Sequence, residues 1–147
     1  MHPVHILLIE DNEGDIVLLQ EALSETKLSV QLSCVRDGED AISFLQQGGK
    51  YTTEKWPDMI LLDINLPKID GKEVLKFIKT NPGLAMVPVI ILTTSSSEKD
   101  MQDAYANHAD CYIIKPVSLE SFVNVVDTIE DFWSRTLNKQ KLNLNGN

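Results

Sequence analysis

The chain has 147 residues, 43% hydrophobic and 24% charged, which suits one soluble globular core, and no second domain is expected. Its formal net charge of −9 argues against nucleic acid as a partner, because non-specific binding needs a basic face. No stretch reaches the ~20 apolar residues that cross a bilayer, and the opening MHPVHILLIEDNE lacks a basic region or a small-residue cleavage site; no membrane span or signal peptide is expected, and the cytoplasm is the expected compartment.

From the amino end, apolar runs alternate with helix-forming stretches. A strand is predicted at Ile6–Ile9 and a helix over Ile16–Ser24. Val30–Val35 leads through the turn Asp37-Gly38 to a helix over Asp40–Gln47, and QQGGKYTTEKWP reads as a loop. Met59–Leu62 is a short apolar run that stops on Asp63. A helix over Lys72–Thr80 ends at Asn81-Pro82-Gly83, and Pro88 leads into Val89–Leu92. A helix over Lys99–Ala106, a strand at Cys111–Ile114 and a helix over Leu119–Leu137 complete the pattern. The polar NKQKLNLNGN predicts a frayed tail, so a single domain is expected over 1–137 and a disordered tail over 138–147. Several strand runs are continuous rather than alternating, as in strands covered on both faces. Five strand–helix repeats define an α/β domain, (βα)5, with a doubly wound, five-stranded parallel sheet and helices on both faces. Cys34 and Cys111 fit no metal or redox spacing and read as reduced, buried, structural thiols.

In an open parallel sheet, chemistry gathers at the carboxyl ends of the strands. The first strand ends in Glu10-Asp11, the third in Asp63, the fourth in Thr93-Thr94 and the fifth in Lys115-Pro116. The second ends in Arg36-Asp37, on the outer side. Three carboxylates brought to one rim repel: at ~4 Å and an effective dielectric near 20, each pair costs about 4 kcal/mol. Either some protonate or a cation joins them, and oxygen ligands without His or Cys suit Mg²⁺. Each acid taken alone also serves as an ordinary helix or turn cap. His2, His5 and His108 match no metal or triad geometry, and Arg36 and Lys99 read as solvated.

The last helix carries Phe122, Val126, Ile129 and Trp133 at helical spacing, a stripe that packs on a sheet. Val125 and Phe132 widen it. Val125, Phe132 and Trp133 are therefore candidates for an interface with a second copy or a partner, set against simple packing.

The motifs LLIEDNEGD, LLDINLPKIDG, VIILTTSS and YIIKP resemble, in order and spacing, the signatures of receiver domains of two-component response regulators, and the likeness spans Ile6 to Trp133. The resemblance implies a flavodoxin-like strand order 2-1-3-4-5. It implies that Asp63 accepts a phosphoryl group from a sensor histidine kinase. Asp11 and Asp63 would ligate Mg²⁺ directly, Glu10 through water and Asn65 by its backbone carbonyl. Lys115 would pair with Asp63 and then with the phosphoryl oxygens, from a cis Lys115–Pro116 peptide. Thr93 would close onto the phosphoryl group, and Tyr112 would change rotamer with it. Because the chain stops soon after the fifth helix, a stand-alone regulator is expected, one that signals by protein contact and catalyses only its own phosphorylation and dephosphorylation.

Within that family, IEDNEGD, the extended loop before the third strand, LTTSS and the late Phe132-Trp133 are similar to the single-domain regulators of cyanobacterial and other bacterial phytochromes. That likeness implies a phytochrome kinase as partner and a homodimer built around the fourth and fifth elements. Three other readings compete. A phosphatase of the haloacid-dehalogenase type needs a second Asp two residues on, where Asn65 stands. A flavin mononucleotide binder would have its phosphate repelled by EDNEGD. A phosphorelay intermediate would keep every site residue and pass the phosphoryl group to another His protein.

Overall fold

The computed structural model describes residues 3–53 and 55–146, with side chains for all of these except Leu119 and residues 140–146. His2, Glu54 of the predicted loop and Asn147 of the predicted tail lie outside the described residues. Five strands and five helices alternate: β1 (Val4–Ile9), α1 (Glu13–Ser24), β2 (Val30–Val35), α2 (Gly38–Leu45), β3 (Met59–Leu62), α3 (Gly71–Thr80), β4 (Val89–Thr93), α4 (Glu98–Ala106), β5 (Cys111–Ile114) and α5 (Leu119–Gly146). All strand pairs are parallel, in the order β2-β1-β3-β4-β5, as the resemblance implies.

Successive residues of a strand face opposite sides, so each central strand feeds two cores. On one side Leu7, Ile9, Ile60, Leu62, Val89 and Ile91 pack with Phe44 of α2, Val74, Leu75 and Ile78 of α3 and Ala104 of α4. On the other, Ile6, Leu8, Met59, Leu61, Ile90 and Leu92 meet Ile16 and Leu19 of α1 and Phe122, Val126 and Ile129 of α5. The continuous apolar runs of β1, β3 and β4 are thus buried along their whole length. The edge strands β2 and β5 are only partly covered. Cys34 on β2 is consequently exposed and Cys111 on β5 half-buried, which corrects the expectation of buried thiols for Cys34.

Helix starts are set by side-chain caps. Asn12, Asp37, Asp70 and Ser97 accept from the backbone N–H of Asp15, Asp40, Lys72 and Asp100, satisfying donors that a helix leaves open. Gly71 opens α3 because a Cβ there would collide with the Asp63 carbonyl oxygen. Only a glycine lets α3 approach the end of β3 this closely.

Two single 3-10 turns, Gly49–Tyr51 and Leu84–Met86, are too short for apolar spacing to announce. The last helix also runs past Leu137 to Gly146, since no breaker precedes that glycine. Among the described residues no helix is long and apolar enough to cross a membrane.

Candidate functional site

The register brings the strand ends level: Ile9 lies opposite Val35 and Leu62, Leu62 opposite Ile91, and Thr93 opposite Ile114. The residues just beyond β1, β3 and β5 and the last residue of β4 therefore share one rim. Carboxylate oxygens of Glu10, Asp11 and Asp63 all lie within 4.8 Å of one another. Glu10 is 2% exposed, Asp63 5% and Lys115 8%, while Asp11 is open to solvent.

Charges so deeply buried need partners. The Lys115 ammonium supplies one, standing 2.6 Å from Glu10 Oε2 and 2.9 Å from Asp63 Oδ2. The second oxygens are held by backbone: Asn12 N–H donates to Glu10 Oε1 and Asn65 N–H to Asp63 Oδ1, each at 3.0 Å. Burial pushes the Glu10 carboxyl up to about 7, and the Asp63 charge adds to the rise, against the opposing pull of Lys115 and the Asn12 N–H. Burial would lower the Lys115 ammonium, but its hydrogen bonds to Glu10, Asp63 and Asp15 outweigh that and hold it above its ordinary value.

Asp15 is the residue that motif reading missed. Its Oδ2 lies 2.9 Å from Lys115 Nζ, one hundred positions away in the chain. The only trace in the sequence is inside EDNEGD, where an acid in the first turn of α1 closely follows the strand-end pair.

Thr93 is fully buried, and its hydroxyl oxygen accepts from Ser95 N–H at 3.4 Å and from Asn65 Nδ2 at 3.5 Å. The Tyr112 hydroxyl donates to the Ser95 carbonyl at 2.9 Å, and its ring packs on the first core. Ser95 Oγ donates to Asp100 Oδ2 at 2.5 Å, and Lys72 of α3 bridges Asp100 at 2.6 Å and Asp103 at 2.9 Å. Lys72 and then Ser95 hold the Asp100 carboxyl below its usual range. A chain of polar contacts thus runs from Asn65 through Thr93 and the β4–α4 loop to α4.

The structure departs from expectation at one peptide bond. The described backbone contains no cis peptide, so Lys115–Pro116 is trans, and the long lysine arm reaches the carboxylates from that geometry. Val125 is buried in the second core, and Phe132 and Trp133 are half-buried against it. The stripe packs on α1 and the sheet, and Val125, in that core, offers little surface to a partner. His5 is buried at the opposite end of the sheet, with Nε2 2.9 Å from Ser33 Oγ, and exposed His108 follows α4. Neither approaches the acidic rim. Arg36 is exposed but pairs with Glu13.

The donor set fits a small hard cation. Every ligand atom on offer is a carboxylate oxygen, one acid is open to solvent, and the buried pair already holds a positive charge in place.

Such a rim on a sheet of order 2-1-3-4-5 narrows the protein to a few classes, and a profile match over residues 6–127 decides among them: the chain belongs to the response regulator receiver domain family. Its relatives are specific. It is 45% identical over 135 residues to the response regulator Rcp1 of Synechocystis sp., covering 92% of each chain. It is 40% identical over 133 residues to the probable methanogenesis regulatory protein FilR2 of Methanothrix harundinacea, covering 89% of this chain and 84% of that one. Its fold superimposes on the phosphorylated cyanobacterial phytochrome response regulator RcpA with a TM-score of 0.86 at 44% identity, over 92% of this chain and 96% of the other. The Mn²⁺-bound form of Rcp1 gives 0.83 at 46% identity, over 89% and 94%.

Proposed function

We propose that this receiver domain takes a phosphoryl group onto Asp63 from the phosphohistidine of a sensor histidine kinase of the phytochrome type, and passes the signal on by changing its protein contacts. The observation that carries this reading is the Lys115 ammonium held against buried Asp63 and Glu10 beside exposed Asp11.

A carboxylate is a weak nucleophile, but phosphohistidine is an activated donor, so placement and charge neutralisation suffice. An Asp63 oxygen forms the new P–O bond as the P–N bond breaks, and the imidazole leaves with its electron pair. Asp11 and Asp63 would hold Mg²⁺ directly, Glu10 through water and Asn65 by its carbonyl. When bound, that ion supplies positive charge for the phosphoryl oxygens. Lys115 exchanges Asp63 Oδ2 for a phosphoryl oxygen. Thr93 turns its hydroxyl from Ser95 N–H towards the new acceptor, since the product adds nearly two negative charges. The β4–α4 loop, tied to Thr93 and Tyr112, follows. The chemistry is confined to the protein's own aspartate.

The phytochrome link is supported by likeness to RcpA, a phytochrome response regulator. We read the protein as a cytoplasmic homodimer in which Phe132 and Trp133 of α5 contribute the anchors. Asp63→Asn is expected to abolish labelling by a phosphorylated phytochrome kinase while leaving the fold intact by circular dichroism. Labelling at the wild-type rate would reject Asp63 as the acceptor.

A further inference from the structure

We propose that Asp15 is a positioning residue for Lys115, the third leg of a carboxylate tripod that keeps the ammonium aimed at Asp63 during phosphoryl transfer. The inference rests on the role given to Asp63 above. An ammonium carries three protons, and here three acceptors from three elements meet it: Glu10 after β1 at 2.6 Å, Asp63 after β3 at 2.9 Å and Asp15 in α1 at 2.9 Å.

Two of these legs have other duties. Glu10 and Asp63 belong to the trio of acids whose oxygens lie within 4.8 Å of one another, and Asp15 does not. A cation in that trio draws on Glu10 and Asp63, and a phosphoryl group on Asp63 displaces the ammonium from Oδ2. Asp15 is the leg that neither event removes. A lysine arm with two partners pivots about the line between them, and its flexible stem resists that poorly. A third partner rooted in another element stops the pivot.

Asp15 is suited to the task. Its backbone N–H donates to the Asn12 side chain at 3.0 Å, which fixes the first turn of α1. Its side chain is 23% exposed, so its charge stays partly solvated, and it sits at the positive end of the helix.

The test compares Asp15→Ala, which removes the leg, with Asp15→Asn, which keeps an oxygen acceptor of the same reach. Phosphorylation is driven by a small acyl phosphate with Mg²⁺ and followed by intact mass. The ¹H–¹⁵N signal of the Lys115 ammonium, visible only while shielded and hydrogen-bonded, is recorded without donor or metal. Asp15→Ala should slow labelling about tenfold, short of the roughly hundredfold that an ångström of misplacement costs. It should also lose the ammonium signal to exchange with water. Asp15→Asn should keep the signal and label within about twofold of wild type, as conservation of the acceptor requires. Wild-type labelling and an intact ammonium signal in Asp15→Ala would overturn the tripod. An Asp15→Asn as slow as the alanine variant would also overturn it, because charge rather than position would then be the cause. The ammonium signal decides the tripod even if Asp63 takes no label, so failure of the acceptor assignment is read separately.

Discussion

Replacing Lys115 by Met removes the positive charge and keeps most of the apolar stem. Two buried carboxylates are then left facing each other, with side chains only 3% (Glu10) and 6% (Asp63) exposed. At ~4 Å and an effective dielectric near 20 their repulsion is about 4 kcal/mol. Breaking a buried ion pair from one side costs about 3–5 kcal/mol, a large share of the roughly 5–15 kcal/mol that holds a domain together. With a urea slope of about 2 kcal/mol per molar, the midpoint should fall by about 2 M. The assay is urea unfolding followed by far-ultraviolet circular dichroism in EDTA near about pH 9, well above the ordinary carboxylate range. Glu10 has a folded value raised from 4.5 to about 7, so the stability it contributes is full below the unfolded value and lost as pH rises through the folded one. Acidification should therefore restore part of the loss. Mg²⁺ at about a hundred times its dissociation constant should restore about 2.7 kcal/mol, because the ion replaces the missing charge. A midpoint within about 0.3 M of wild type in EDTA would refute the reasoning, since it would mean that the acids do not depend on this ammonium.

Mg²⁺ affinity should rise with pH through about 7 as Glu10 loses its proton, and Asp11→Ala should weaken it about tenfold or more; calorimetric titration in buffers of different ionisation heat reads both, and a pH-independent affinity would contradict the shared site. Lys72→Met should speed amide hydrogen exchange in α4 while changing overall stability by no more than about 1 kcal/mol, because the pairs it breaks are partly exposed. Unchanged protection of α4 would show that the bridge does not restrain it. Trp133→Ala should cost about 2 kcal/mol of stability from its half-buried contact and shift the solution mass of the proposed dimer towards monomer, checked by light scattering.

Much of this architecture could be read from residue order because the central strands are buried on both faces. Met59–Leu62 and Val89–Leu92 are apolar without interruption, and each is followed at once by the polar group that forms the rim. Glu10, Asp11, Asp63, Thr93 and Lys115 were legible for the same reason: parallel strands with level register deliver their ends together. Asp15 was hidden because its partner is one hundred residues distant, and the first turn of α1 looks like any acidic helix start. Cys34 was misjudged because the general tendency of free cysteines to be buried was applied to a strand that the expected order already put at the edge of the sheet. For Val125 the packing alternative is the one the core supports, because a helix that meets both a sheet and a neighbouring helix buries a wider arc than one apolar stripe suggests.

The level register also limits how the gene can drift. Leu62 is locked opposite Ile9 and Ile91, so one residue gained between Met59 and Asp63 would carry the aspartate about 3.3 Å along and turn it to the opposite face of the sheet. Insertions within β3 are thereby forbidden to any descendant that keeps Asp63 beside Glu10 and Lys115. The stretch QQGGKYTTEKWP, which enters the sheet from the far end, can lengthen or shorten without moving the aspartate at all.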